Sequence, residues 1–173
     1  VPVFVNEEGV ALSGSDAICE YLDEVYPKPN LMGVEPLVRA EARRLVYWFD
    51  HKFHSEVTKN LVDEKIIKRF LGLGEPSSNI IRAGHANIHY HLDYIAFLTD
   101  RRRWLAGDDI SHADLAAAAQ LSCVDYIGDV PWNEYPAARD WYSRIKSRLC
   151  FRPLLEDFLP GTPPAKHYRN LDF

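Results

Sequence analysis

His85 and His89 stand four residues apart, a spacing that sets two imidazoles on one helical face where a divalent metal could be gripped. Neither is followed by the glutamate of an H-E-x-x-H site and no third ligand stands nearby, so both read as helix-surface histidines. The three cysteines, Cys19, Cys123 and Cys150, form no C-x-x-C and cannot all pair, which fits a reducing compartment. Neither Cys19 nor Cys123 has a neighbouring base to favour the thiolate, and Cys150 is assigned no chemistry. Cys123, inside the apolar run Leu121 to Ile127, reads as a buried core residue, and Cys19 as a more accessible one. No phosphate-cradling glycine loop, Ser-His-Asp arrangement or carboxylate pair stands out. Two stretches hold more. Ser13-Gly14-Ser15-Asp16 offers hydroxyls at a helix start, where unpaired amides favour anions. Lys166-His167-Tyr168-Arg169-Asn170-Leu171-Asp172-Phe173 interleaves apolar anchors with charges, which is what a short protein-contact segment needs.

The body that must hold these residues is of ordinary globular composition. Its 173 residues include 20 basic and 25 acidic side chains, for a formal charge of −5, with 47% hydrophobic and 26% charged residues. Those values exclude disorder as the main state. Mild acidity argues against nucleic acid as a partner, which calls for a concentrated basic face. No apolar run approaches the roughly 20 residues of a membrane span, so membrane insertion is not expected and a cytoplasmic place is. The chain opens at Val1 in a strand-like run without an initiator Met, and the expectation is that a further segment precedes it.

Val1 to Val5 is β-branched and aromatic, Asn6-Glu7-Glu8-Gly9 is turn chemistry, and Val10-Ala11-Leu12 returns as a second strand. Ala17, Ile18, Tyr21, Leu22 and Val25 then form a helical stripe. Tyr26 to Pro36, with three prolines and Gly33, is a linker. Beyond it the pattern is helical. Leu45, Phe49, Phe53, Val57 and Leu61 repeat every four residues, and Ile81, Ile88, Leu92, Ile95 and Leu98 mark a second long helix ending at Arg101-Arg102-Arg103, where cations suit the helix dipole. Ser111 and Asp114 have capping-box spacing, flanked by Ile110 and Leu115 as a staple. The Ala-rich helix from Leu115 to about Ile127 should be buried on most sides. Shorter helices follow at Pro136 to Arg148 and Pro153 to Leu159. Trp48 and Tyr47, with Arg43 and Arg44, are candidate walls of a cleft beside the linker.

Four of these stretches, in this order and spacing, resemble the glutathione S-transferase superfamily: Val-Pro-Val-Phe-Val at the start, Ser15-Asp16-Ala17-Ile18-Cys19-Glu20-Tyr21-Leu22, Ile110-Ser111-His112-Ala113-Asp114, and Val130-Pro131-Trp132 through Leu155. The resemblance implies an α+β fold: the second half of a thioredoxin-like domain, β-β-α, over 1–26, a linker over 27–36, an all-helical carboxyl-terminal domain over 37–160, and an extended proline-rich tail over 161–173. It implies that the Ser, Tyr or Cys activating the thiol precedes Val1, so no catalytic residue lies in this sequence. It also implies that any glutathione would be held by Val1, by Pro2 after a cis bond, and by Ser15. Family members that bind glutathione usually carry an acid or amide before that serine, facing the ligand's ammonium. Gly14 stands there instead, and losing one charge-assisted hydrogen bond of about 1.5–3 kcal/mol weakens binding by roughly one to two decades.

The ending, on a body with this altered serine motif, resembles a division-associated branch of the superfamily whose partner is the tubulin-like polymer FtsZ. That resemblance implies a noncatalytic homodimer without cofactor or metal, acting at the division site, with Lys166, Tyr168, Arg169, Leu171, Asp172 and Phe173 as contact residues. Three readings stay open beside it. In one, the tail folds back and completes the helical core. In another, the protein is a glutathione-dependent transferase or isomerase of small electrophiles. In the third, it is a transferase-like scaffold for some other protein.

Overall fold

A computed structural model describes residues 2–172 of the chain. It opens with an antiparallel hairpin of β1 (Val3–Val5) and β2 (Ala11–Ser13), in which Val3 faces Ser13. Asn6 builds the turn: its side-chain oxygen accepts from the amides of Glu8 and Val10, and its carbonyl from Gly9 at φ 81°. Helix α1 (Ser15–Val25) follows at once and brings Tyr21 within 6.0 Å of Phe4.

The expected hydroxyl cap on α1 is not made. Gly14 is the capping residue, at φ 91°, and no side chain bonds the first amides. This left-handed backbone suits glycine, and it swings strand into helix within one residue. Ser15 thereby becomes the first helical residue rather than the cap, and it stays exposed.

After the linker the chain runs as one long helix, α2, over residues 36–71. Pro36 occupies its first position, where a missing N–H costs nothing. The backbone is α-helical over Pro36–Tyr47, wider over Trp48–Ile67, where the Lys68 amide reaches back five residues to the Asp63 carbonyl, and α-helical again over Lys68–Leu71. Gly72 at φ 64° ends it, with Leu73 bonding the Lys68 carbonyl and Gly72 that of Arg69. Helix α3 (Ser78–Thr99) returns against it. The two are so close at Gly84 that an added Cβ would lie 2.8 Å from the Leu61 side chain. Leu45, Phe49, Phe53, Val57 and Leu61 face Ile88, Leu92, Ile95 and Leu98 in one core. At the end of α3, Arg101 donates to the Phe97 carbonyl, as the dipole argument requires.

Helix α4 (His112–Tyr126) runs into that core, followed by a single turn (Trp132–Glu134), α5 (Pro136–Lys146) and α6 (Arg152–Glu156). The burial of α4 is narrower than expected. Ala113, Asp114, Ala117, Ala118, Leu121, Ser122, Val124 and Asp125 are buried, while Ala119 and Cys123 are exposed. An alanine-rich helix has no polar face to announce its wet side, and Cys123 lies on that side rather than in the core. Among the described residues no helix is long and apolar enough to cross a membrane.

The capping box is present, and its carboxylate does more than cap. Asp114, fully buried, accepts from the Ser111 amide and hydroxyl through Oδ2 and from the Leu105 amide and the Trp141 indole through Oδ1, all at 2.9 Å. One side chain thus joins the start of α4, the loop after α3 and α5. Asp114→Ala would strand these buried donors at a cost of about 3–5 kcal/mol. We expect the melting temperature to fall by about 10 °C; a fall of a degree or two in a thermal melt would refute this role.

Candidate functional site

Two regions gather the residues of interest. The first is a cleft of about 810 Å³ between α1, α2 and the open face of α4. Ser15 and Cys19 line it from α1, Arg43, Tyr47 and Asp50 from α2, and His112, Ala116 and Ala119 from α4. Tyr47, Arg43 and Arg44 line it as expected; Trp48 does not. Its indole turns to the other side of α2 and donates to Nδ1 of buried His91, whose Nε2 faces Glu56 at 3.1 Å. Burial lowers the His91 pKa, with Glu56 opposing.

The cleft is poor in reactive groups. Burial, reinforced by Asp16 and Asp50, pushes the Cys19 thiol up, away from the thiolate. Burial likewise raises the Asp50 carboxyl and lowers His112. The charged groups that remain serve structure. Glu20 of α1 takes Arg43 in a two-pronged bond and Arg39 at 3.4 Å, and the Arg43 hydrogen bond holds its carboxyl below the usual range. Asp23, buried at the other end of α1, accepts from the amides of Leu31 and Met32 and faces Arg39 at 3.7 Å. Leu31 in turn accepts from the His112 amide at 2.9 Å, so the linker is tied to α1 and α4 together. Of the expected glutathione contacts, Ser15 stands at the edge of the cleft and Pro2 is exposed, while Val1 and the Val1-Pro2 bond lie outside the described residues.

The second region is the tail. It folds back along α4 and α5. The Ala165 amide donates to the Tyr126 carbonyl, and the Tyr126 hydroxyl accepts from the Leu159 amide while donating to the Thr162 carbonyl. Tyr168 is 2% exposed, with its ring edge-on to Tyr126 and its hydroxyl 2.7 Å from Ser122. Its neighbour His167 meets fully buried Asp125 through Nε2 at 2.8 Å. On the other side of that carboxylate lies Lys146, also fully buried, 3.8 Å from Oδ2 and 3.5 Å from the His167 carbonyl. Arg169 donates to the carbonyls of Leu155 and Glu156. Of the six expected contact residues, Tyr168 is therefore core and Leu171 is half-buried against it, while Lys166, Arg169 and Asp172 stay exposed. Phe173 lies outside the described residues.

Asp125 and Lys146 carried no expectation, yet the spacing held a signal: Leu121 to Asp125 and Tyr142 to Lys146 are four-residue steps along buried stripes. His85 and His89 have other partners than a metal. His85 faces Asp129 at 3.3 Å and His89 the Tyr135 hydroxyl at 2.9 Å. Among the described residues no group of three or more His, Cys, Asp or Glu could hold a metal ion.

Residues 90–148 match the family model for the glutathione S-transferase carboxyl-terminal domain. FtsZ-localized protein A of Caulobacter vibrioides is 47% identical over 175 residues, which span 99% of this chain and 77% of that protein. The crystal structure of a glutathione S-transferase from Rhodospirillum rubrum F11 is 54% identical, with a TM-score of 0.95 over 100% of this chain and 78% of that one. The structure of FzlA from C. crescentus is 47% identical, with a TM-score of 0.94 over 99% and 76%.

The junction beneath the tail is sensitive to pH. Burial lowers the Lys146 pKa from 10.5 to about 8, against the pull of Asp125. Above pH 8 the folded chain thus holds fewer protons than the unfolded chain, so this residue adds stability as pH rises toward 10.5. Between pH 7 and 9 that gain is about 1 kcal/mol. In denaturant titrations at both pH values, we expect Lys146→Met to lack this increment; equal pH slopes in the two proteins would refute it.

Proposed function

This chain belongs to the glutathione S-transferase superfamily, and we propose that within it the protein is a noncatalytic, homodimeric regulator of bacterial cell division. In this reading it sits in the cytoplasm at the division site and binds FtsZ filaments through its carboxyl-terminal segment. The observation that carries the reading is the 47% identity, across 99% of the chain, to a protein named for its FtsZ localisation. Gly14 adds support, since it brings neither charge nor acceptor to the α1 start. So does a cleft whose one thiol is held protonated by burial.

The tail geometry suits a binding epitope. Its backbone is fastened through Tyr126, Ser122 and Asp125, which leaves Lys166, Arg169 and Asp172 displayed on a held frame. Preorganised side chains lose less freedom on binding. A two-fold dimer then offers two tails to one filament, and the second contact forms at the effective concentration set by the first.

The 54% identity to a Rhodospirillum rubrum glutathione S-transferase favours a second reading, a glutathione-dependent transferase or isomerase. Two measurements separate them. We expect Asp172→Lys to abolish co-sedimentation with FtsZ polymers while the dimer persists in analytical ultracentrifugation; full pelleting of this variant would remove the tail from the contact. Calorimetry with millimolar glutathione should give no heat, and a chlorodinitrobenzene-type electrophile no turnover. Robust turnover would decide for the transferase.

A further inference from the structure

Most arginines near the cleft have a carboxylate: Arg39 and Arg43 take Glu20, and Arg44 and Arg102 take Glu41, whose pKa falls to about 2. The surroundings of Trp104 differ. Arg144 and Arg148, one turn apart on and just beyond α5, both place their guanidinium groups over the ring of Trp104, at 4.6 and 5.0 Å from its centroid. The indole is only 5% exposed and is fixed by a reciprocal pair of backbone bonds to Gly107. Arg152 reaches back to the Ser147 carbonyl at 3.3 Å. None of Arg103, Arg144, Arg148 and Arg152 has a carboxylate within 4.0 Å among the described residues.

We propose that this arginine–tryptophan cluster is a docking face for an acidic protein segment. The α5 carboxyl terminus favours cations in its last turn, which accounts for arginines being there. It does not account for two of them converging on one ring with no counterion, in a chain with five more acids than bases. Stacking fixes both planar forks while leaving the side chains exposed, the geometry that takes carboxylates in pairs. Leu149, directly after Arg148, is 78% exposed and adds an apolar anchor. Charge with an adjoining apolar side chain fits a polypeptide better than a free anion. The proposal rests on the division reading only for the choice of FtsZ polymers as the partner tested.

The test compares wild type, R144Q/R148Q and R144K/R148K, all checked for an unchanged melting temperature. We expect the glutamine pair to weaken FtsZ polymer binding roughly tenfold at low salt and to flatten its salt dependence, and the lysine pair, which keeps the charge without the planar fork, to recover only part of it. Poly-L-glutamate, titrated by fluorescence anisotropy, should bind wild type and not the glutamine pair. If wild type ignores FtsZ polymers, the division reading fails, and the polyglutamate arm alone decides this one. Equal binding of polyglutamate by wild type and the glutamine pair overturns the proposal. So does an arginine-dependent preference for phosphatidylglycerol vesicles over polyglutamate, which would assign the face to a membrane.

Discussion

The helical body depends on one fully buried carboxylate. Asp114 is surrounded by the Ser111 amide and hydroxyl, the Leu105 amide and the Trp141 indole, so its charge is met by donors rather than by a cation. A buried carboxylate without them would cost several kcal/mol. With them, its two oxygens dictate where three separate segments meet. The register of α4 against α5, and of both against the loop after α3, follows from that convergence. The linker inherits it, because the His112 amide that binds Leu31 belongs to the first turn of the same helix.

Asp23, Asp114 and Asp125 solve one problem in three ways. Asp23 takes two linker amides and an arginine, Asp114 takes neutral donors only, and Asp125 takes an indole, a histidine and a lysine. Each stands where segments distant in sequence must join. Hydrophobic area drives the chain together but does not choose among near-equivalent packings. These directed bonds do. The carboxylates beside the cleft, Glu20 and Glu41, are likewise engaged by arginines.

The local signals in the sequence were the ones with short range. The hairpin turn at Asn6–Gly9, the Ser111–Asp114 box and the four-residue repeat in α2 each depend on neighbours within one turn, and each appears as expected. The family likeness holds as well. What escaped was set by distance or by symmetry of composition. Trp48 could face the cleft or α3, and only His91, 43 residues away, decides it. An alanine helix gives no hint of which face stays open, so Cys123 was placed inside. Ser13 and Ser15 offer hydroxyls for the cap, whereas the positive φ of Gly14 makes the glycine the cap itself. In the tail, aromatic and charged residues read alike as a contact segment. The Ser122 hydroxyl, 46 residues away, draws Tyr168 inward, while among the described residues no such partner claims the Asp172 side chain.

Tyr126, the last residue of α4, lends both its backbone carbonyl and its hydroxyl to the segment after α6, so that segment and the end of α4 are held together. By thermodynamic linkage, whatever grips the outer surface of that segment tightens the helical body as well, and a lesion deep in α4 loosens the grip from within. Occupancy at the periphery and integrity of the centre are two readings of a single equilibrium.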